Sequence, residues 1–316
     1  MLTFAYPGNR TSVTHFIIKG ISDQPELQAP IFLLVLLIYL VTLTGNVTIL
    51  LAVCLDRHLH TPMYFFLGNL SFLDMCSTTV TLHKVLLIFI AGDNRVSFLG
   101  CMVQMYFFAS FIGHELLILM AMSYDRYVAV CHPLRYHAIM NHRVCVSLAA
   151  ACWALGFLQV LCPFVIVSGF SCYTSNEINH FLCDILPLME ITCDDTAFLE
   201  TFLFINGLVV MTLLPLVLTF ISYVFIVVAI VKIRTSSGKR KAFYTCSSHL
   251  AVVVLLYVIL ICQYLTPASL QTLNNKKFLA LFNTSAVPML NPLIYSFKNK
   301  DVASAVRRKL CPKITQ

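Results

Sequence analysis

Charged residues are scarce in this sequence, and their scarcity excludes a soluble domain. They make up 11% of the 316 residues, while 59% are hydrophobic and the mean hydropathy is +0.84. Soluble domains carry about a quarter charged residues. The composition therefore predicts a polytopic membrane protein.

Further absences exclude other classes. No apolar segment of the signal-peptide type precedes the first long apolar run, so we expect the first span to act as its own insertion signal. The thirteen cysteines are too scattered for a disulfide-rich miniprotein, and most should pack as small hydrophobic groups. His114 and the cysteines lack metal-ligand spacing, which favours packing over metal binding. No internal repeat is visible, which disfavours a transporter or channel.

Seven apolar runs are each close to the ~20 residues that a membrane-spanning helix needs. They cover 29–54, 61–85, 98–126, 144–165, 201–232, 240–264 and 277–297. We therefore predict an all-α membrane protein, with an N-terminal segment at 1–28, a seven-helix transmembrane bundle at 29–297 and a tail at 298–316. Four prolines within the runs should kink helices rather than end them: Pro163, Pro215, Pro288 and Pro292.

The basic residues place the N-terminus outside the cell. Fifteen of the 21 lysines and arginines fall on the 1–2, 3–4 and 5–6 connections and on the tail, and such residues concentrate on the cytoplasmic side. This distribution explains the net charge of +7 without nucleic acid as a partner. It also puts the N-x-T sequon at Asn9 outside, as N-glycosylation requires. In the tail, Val302, Val306 and Leu310 recur at helical spacing among basic residues, which predicts an amphipathic helix on the inner leaflet.

Four cysteines face an oxidising compartment in this topology. Cys101 lies at the outer end of the third run, and Cys172, Cys183 and Cys193 lie on the long 4–5 connection. Four cysteines allow three pairings, and their spacing does not choose among them.

Met120–Tyr136, which reads MAMSYDRYVAVCHPLRY, places an acid beside a base at the end of an apolar helix. An arginine in hydrocarbon is costly unless it has a partner or a route to water, so Arg126 is either an interfacial side chain or part of a functional site. With four other stretches, this one makes the chain closely resemble the vertebrate olfactory receptors, which are rhodopsin-like G-protein-coupled receptors. Those stretches are Leu59–Leu67 (LHTPMYFFL), Ser222-Tyr223, Lys241–Leu250 (KAFYTCSSHL) and Pro288–Tyr295 (PMLNPLIY).

The resemblance implies a plasma-membrane receptor and not an enzyme. Its pocket, in the outer half of the bundle, would bind a small volatile odorant, and it would activate a stimulatory, olfactory-type G protein that raises cAMP. The resemblance also implies the disulfide bonds Cys101–Cys183 and Cys172–Cys193. A rhodopsin-like receptor for another small apolar ligand is the alternative. A retinal photoreceptor is excluded because 278–297 contains no lysine for a Schiff base.

The pocket lining is predicted from helical spacing in this fold. The candidate side chains are apolar or aromatic with a few hydroxyls, as in other small-molecule pockets. They are Met105, Phe108, Ala109, Ile112, Gly207, Met211, Tyr257, Ile261, Tyr264, Leu281 and Thr284. No acid occupies position 108, where receptors for amines carry one, and none of these residues is Lys, Arg or His. We therefore expect small neutral ligands to activate the receptor and carboxylates to fail.

On the inner side, the resemblance implies a switch that admits the G protein. Arg126 is expected to be held at rest by Asp125 and by polar groups of the sixth helix. Agonist binding moves that helix outward, and the C-terminal helix of the Gα subunit enters a groove bordered by Lys239–Lys241. The residues assigned to this switch are Asp125, Arg126, Tyr127, Tyr223, Asn291, Pro292 and Tyr295.

Asp74 and Glu115 are the only acids deep within the membrane runs. Two carboxyl groups at mid-depth must be neutralised by protonation, polar partners or a cation. Asn291, Ser71 and Ser285 are expected neighbours in this fold, so a sodium ion would suit the oxygen-lined cavity. A protonated pair within a water network, without a metal, is the alternative.

Overall fold

The computed structural model describes residues 13–22, 24–265, 273–298 and 300–309. Within them the chain forms seven long helices and a short eighth one. The helices are α1 Pro25–Leu55, α2 Pro62–Ala91, α3 Phe98–Cys131, α4 His142–Ser168, α5 Ala197–Lys232, α6 Ser236–Leu265, α7 Leu273–Lys298 and α8 Lys300–Lys309. Short helical turns lie at Arg57–Leu59, Pro133–Arg135, Tyr136–Ile139 and Ile185–Ile191.

The prediction of an all-α bundle of seven membrane helices is confirmed. Among the described helices, α1 to α5 are each long and apolar enough to cross a bilayer. α6 is a span bent by 41° between Ser236–Tyr244 and Cys246–Ile261. α7 has 26 residues and packs against α1, α2 and α6.

The helix ends follow from residues with known terminal preferences. α2 begins at Pro62. The first N–H groups of a helix have no acceptor within the helix, so proline, which has no N–H, loses no hydrogen bond there. α2 ends before Gly92, whose φ of +68° lies in the left-handed region that glycine adopts without strain. Asn141 caps α4 by accepting a hydrogen bond from the Val144 N–H at 3.1 Å.

α5 differs from a regular helix because Leu203–Leu213 forms a π-helical segment. Pro215 follows directly, and proline in a helix removes one N–H and crowds the preceding turn. A wider π turn relieves that crowding. The Thr212 hydroxyl donates to the Gly207 carbonyl, five residues back, at 2.9 Å. The sequence predicted a kink at Pro215 but not an eleven-residue change of helix type.

The connection between α5 and α6 is shorter than the sequence indicated. α6 begins at Ser236 and not near residue 240, so only residues 233–235 separate the two helices. Lys239 and Arg240 are therefore exposed side chains on the first turns of α6. The basic run extends a helix and does not form a loop.

A three-stranded sheet was not predicted. It lies at the end of the bundle opposite the α5–α6 connection; we name this end the outer end and the opposite one the inner end. His15–Ile18 (β1) pairs antiparallel with Arg95–Ser97 (β2) and parallel with Glu177–Ile178 (β3). Phe16 and Ile18 of β1 are buried. The N-terminal segment, which seemed merely polar, therefore ties the 2–3 loop to the 4–5 loop.

α1 and α7 approach each other closely in the inner part of the bundle. A Cβ atom on Gly45 would lie 2.8 Å from the Pro292 ring, so only glycine fits there without a shift. The side chain of the next residue on α1, Asn46, donates to the Pro288 carbonyl, one turn before Pro292 on α7, at 3.0 Å. That carbonyl acceptor lies four residues before Pro292, which has no N–H to donate to it.

α8 packs against the inner end of the bundle. Of the predicted apolar face, Val302 is fully buried, Val306 is half-buried and Leu310 lies outside the described residues; Ala305, which was not predicted, is also fully buried. On the polar side, Arg308 Nη2 lies 2.7 Å from Asp56 Oδ2 in the 1–2 loop. The Arg308 guanidinium holds the pKa of the Asp56 carboxyl well below its ordinary value.

Candidate ligand pocket and intracellular switch

The outer half of the bundle contains a buried apolar cluster that joins α3, α7 and the 4–5 loop. Phe108 and Leu281 belong to it, half-buried Ile112 packs against it, and the loop contributes Phe181 and Leu182. The four cluster members are at most 8% exposed. The structure thus brings three of the predicted lining residues into one apolar environment, of the kind that small-molecule pockets have.

Other predicted lining residues lie in different clusters. Met105 is fully buried with Cys101 and Cys183, and Ala109 packs against that group. Tyr257 belongs to the inner cluster of the bundle. Thr284 is buried and donates its hydroxyl hydrogen bond to the Leu281 carbonyl at 3.1 Å, so its oxygen remains an acceptor.

Helices α5 and α6 contribute less than the spacing predicted. Gly207 and Met211 are half-buried on the π-helical segment, and no described atom lies within 4 Å of a Cβ built on Gly207. Ile261 is 48% exposed, so it does not share the buried face of Tyr257. The Tyr264 side chain lies outside the described residues.

A histidine and a lysine are buried at the edge of the outer cluster. His180 stacks on Phe181 with ring centroids 4.5 Å apart, and Lys277 lies one turn before Leu281 on α7. The two side chains belong to residues only 8% and 3% exposed. Burial, with a contribution from the Lys277 charge, lowers the pKa of His180 to about 4, so the imidazole is neutral at neutral pH. The predicted lining contains no cation, but the structure places an ammonium group next to it.

The loop that carries Phe181 and His180 is fixed to the bundle by covalent and polar links. Cys101 pairs with Cys183, and Cys172 pairs with Cys193, which is the pairing that the resemblance implied. The Cys183 N–H also donates to Gln104 Oε1 at 3.0 Å. Position and orientation of the loop are therefore set from α3.

The two mid-membrane acids lie in a buried polar region at the centre of the bundle. Asn291 donates to Asp74 Oδ2 at 2.9 Å, and Asp74 is 1% exposed. Several buried oxygens there have no hydrogen-bond partner among the described residues: Glu115 Oε1, Thr78 Oγ1, Ser285 Oγ and Asn291 Oδ1. Orphaned oxygens of this kind require water or a hard cation, so the donor set fits sodium.

At the inner end of α3, Asp125 and Arg126 form a buried ion pair. Arg126 Nε donates to Asp125 Oδ2 at 2.9 Å, and Tyr136 donates its hydroxyl to Oδ1 at 2.8 Å. Burial and the nearby carboxylate raise the pKa of the Tyr136 phenol, which keeps its proton available for this bond. In the described part of the chain, no side chain of α6 hydrogen-bonds to Arg126. The additional hydrogen bond to the ion pair comes from Tyr136 of the 3–4 loop instead.

α6 is held to α3 and α5 by a histidine for which the sequence assigned no role. The Tyr223 hydroxyl of α5 lies 2.7 Å from His249 Nδ1, and His249 Nε2 lies 3.1 Å from the Leu119 carbonyl of α3. Tyr223 also donates to the Cys246 carbonyl at 3.2 Å. Outward movement of α6 must break this chain of hydrogen bonds.

Two further residues that were predicted for the switch, Tyr127 and Tyr295, lie in packed surroundings. Tyr127 packs on Phe225 of α5 at 5.9 Å between ring centroids. Tyr295 is fully buried, and its hydroxyl has no partner within the described residues. Leu134 was not predicted as a site residue, yet it is 101% exposed between Pro133 and Arg135. A leucine this exposed contributes little packing to the described part of its own chain.

This architecture, with an apolar outer cluster and a charged pair at the inner end of α3, defines a seven-helix membrane receptor. The model of the olfactory receptor family matches residues 35–313. Olfactory receptor 8A1 of Homo sapiens is 44% identical over 97% of this chain and 94% of its own length. Olfactory receptor 8U9 of Mus musculus is 42% identical over 96% of this chain and 97% of its own, and human olfactory receptor 8D1 is 44% identical over 96% and 99%. The chain belongs to the olfactory receptor family, as predicted; it is a G-protein-coupled receptor and not an enzyme.

Proposed function

We propose that this receptor binds small, mostly neutral volatile molecules in the outer half of its bundle and activates a stimulatory, olfactory-type G protein, which raises cAMP. The observation that carries the ligand class is the apolar environment of Phe108, Ile112 and Leu281. Burying an odorant of about ten carbons there contributes several kcal/mol at ~25 cal/mol per Å². A directed hydrogen bond adds only ~1 kcal/mol. Shape should therefore dominate recognition, and affinities should be about micromolar.

The end of the bundle that bears the disulfides faces the exterior of the plasma membrane in this proposal. Disulfides form in oxidising compartments, and β1 packs beside Cys101 and Cys183 at that end. The opposite end carries exposed Arg57, Arg135 and Arg143, as cytoplasmic loops do. Asn9 lies outside the described residues, and its glycosylation stays a prediction.

A cAMP-reporter screen of the intact receptor against neutral and acidic volatile compounds tests the proposal. We expect activation by alcohols, ketones, esters or terpenoids, and none in cells without the receptor. A response confined to non-volatile apolar compounds would favour the alternative of a non-olfactory receptor. A response through calcium without cAMP would contradict the G-protein assignment.

The exposed Leu134 should contribute to the G-protein interface. Leu134→Ala removes most of an apolar side chain that a partner would bury, which is worth about 1.5 kcal/mol or more and weakens G-protein recruitment about tenfold. The receptor's own packing loses nothing, so its surface level should not change. The matched control is Leu55→Ala, at the 52% exposed end of α1. Equal losses in the two variants would contradict a contact specific to Leu134.

We further propose that Asp74 and Glu115 hold a sodium ion that favours the resting state. Glu115→Gln removes one charge from the oxygen set, so basal cAMP and the midpoint of thermal unfolding should lose most of their dependence on sodium relative to potassium. Glu200→Gln, on the exposed outer end of α5, is the control and should keep that dependence. Unchanged sodium dependence in Glu115→Gln would leave a water network as the explanation.

A further inference from the structure

A cavity separate from the ligand pocket and the switch opens at the cytoplasmic end of the bundle. Its volume is about 560 Å³, and it lies between the beginnings of α2 and α4. Leu59, Phe65, Met140 and Cys145 form apolar walls, and all but half-buried Phe65 are buried in the fold.

Three histidines from three different segments line the cavity. His60 comes from the 1–2 loop, His137 from the short helix Tyr136–Ile139, and His142 from the first turn of α4. His60 Nε2 lies 3.4 Å from the Cys54 carbonyl, whereas His137 and His142 make no hydrogen bond within the part of the chain that the structure describes. A neutral imidazole has one N–H donor and a protonated one has two. The cavity therefore offers several unused donors.

The chemistry of the lining favours an anion over a cation. No acidic side chain lines the cavity, and no group of three or more His, Cys, Asp or Glu among the described residues could hold a metal ion. Exposed Arg57 lies two residues before the lining residue Leu59, and exposed Arg143 follows the lining residue His142 in the first turn of α4. Both charge and hydrogen-bonding capacity therefore complement a phosphate group.

Two helix N-termini add positive electrostatic potential at the cavity. Thr61 and Pro62, at the start of α2, and Asn141 and His142, at the start of α4, all line the cavity. A helix N-terminus carries a partial positive charge and unpaired N–H groups. The Thr61 side chain makes no capping hydrogen bond to α2, so the first-turn donors of that helix are not used by their own cap.

The position of the cavity identifies the source of the anion. α2 and α4 are membrane-spanning, so their first turns lie at the inner boundary of the bilayer, at the depth of lipid headgroups. Val146, one turn beyond His142 on α4, is 41% exposed. We infer that the cavity binds an anionic phospholipid of the inner leaflet, with a headgroup phosphate monoester against the three histidines and the acyl chains along the exposed apolar surface.

Lipid binding to the purified full-length receptor in phosphatidylcholine nanodiscs tests this inference. The probe is a fluorescent phosphatidylinositol 4-phosphate, compared with a fluorescent phosphatidylcholine of the same chains. We expect the phosphoinositide to bind at least about tenfold more tightly, the effect of 1.4 kcal/mol. The double variant His137→Ala and His142→Ala should lose most of this preference, and the double variant His137→Arg and His142→Arg should keep it. His58→Ala is the control, because His58 hydrogen-bonds to Asp56 and does not line the cavity.

Each remaining outcome decides against the inference. Equal affinity for the two probes on the wild-type receptor would overturn it without any variant. The same loss in His58→Ala would show a general effect of loop histidines. Displacement of the probe by cholesterol would identify a sterol site, and displacement by equimolar soluble inositol phosphate would identify a site for free phosphate compounds. Thermal unfolding of each variant shows whether a loss of binding comes from misfolding.

Discussion

Cys101→Ser and Cys183→Ser should each remove the receptor from the cell surface, and the double variant should be no worse than either single one. The bond joins α3 to the 4–5 loop across 82 residues of sequence. Closing a loop of that length lowers the entropy of the unfolded chain and so raises its free energy by about 4 kcal/mol. Once the bond is absent, the second cysteine has no partner left to lose, so the two effects are not additive.

The consequences extend beyond the bond itself. Met105 and β1 pack around the same two cysteines, and Phe181 and Leu182, just before Cys183, pack in the outer cluster. Release of the loop therefore exposes apolar side chains at the outer end, which favours retention by quality control. Surface antibody staining against total receptor measures the effect.

The matched control is Cys162→Ser, a free, half-buried cysteine of α4. It should leave the surface fraction near that of the wild type. Normal surface staining of Cys101→Ser would contradict the prediction. So would peptide mapping that links Cys101 to Cys172 or Cys193.

Ile112→Trp should raise the activating concentration of every odorant by about tenfold or more. Ile112 packs against both the outer cluster and the inner cluster, so a larger ring there occupies space that a ligand would take. The variant should still reach the surface, because Ile112 is only half-buried and its neighbours are apolar. A dose series of several agonists in the cAMP reporter gives the shift.

Ile90→Trp is the control for this change, since Ile90 is 71% exposed on α2. A tenfold shift in the control as well would point to a general effect of tryptophan on the receptor. An Ile112→Trp shift for some agonists and not others would place the ligands elsewhere in the bundle.

Lys277 changes the premise of the neutral-ligand prediction, which assumed that no cation lies beside the lining. Its buried ammonium group lies one turn from Leu281, where a carboxylate could approach it. We expect neutral ligands to be the stronger agonists, because the free energy needed to desolvate a carboxylate exceeds the free energy gained from a single ion pair. The prediction of neutral ligands would be contradicted if short-chain carboxylic acids were the strongest agonists and Lys277→Gln lost that response. The proposed location of the pocket would still hold.

The sequence by itself determined the class of this protein. Seven apolar runs and the basic residues of alternate connections were enough to predict a seven-helix membrane bundle and its orientation, and five matching stretches, Met120–Tyr136 among them, carried the resemblance to the olfactory receptors. These features are local: hydrophobic length sets a span, and charge sets its orientation. α3 begins at the predicted residue and ends five residues later than predicted, and α5 begins four residues earlier and ends at the predicted residue, which is the accuracy that such patterns allow.

Only the tertiary structure decided how the site is assembled. Helical spacing put Tyr257 and Ile261 on one face, but in the folded chain Tyr257 is 6% exposed and Ile261 is 48% exposed. The bridge from Tyr223 through His249 to α3 joins segments far apart in sequence. Such contacts depend on how helices pack, and the period of a helix does not encode the direction in which a neighbour approaches. The same holds for the three histidines of the cytoplasmic cavity, since only folding brings the 1–2 loop, the 3–4 loop and the start of α4 to one place.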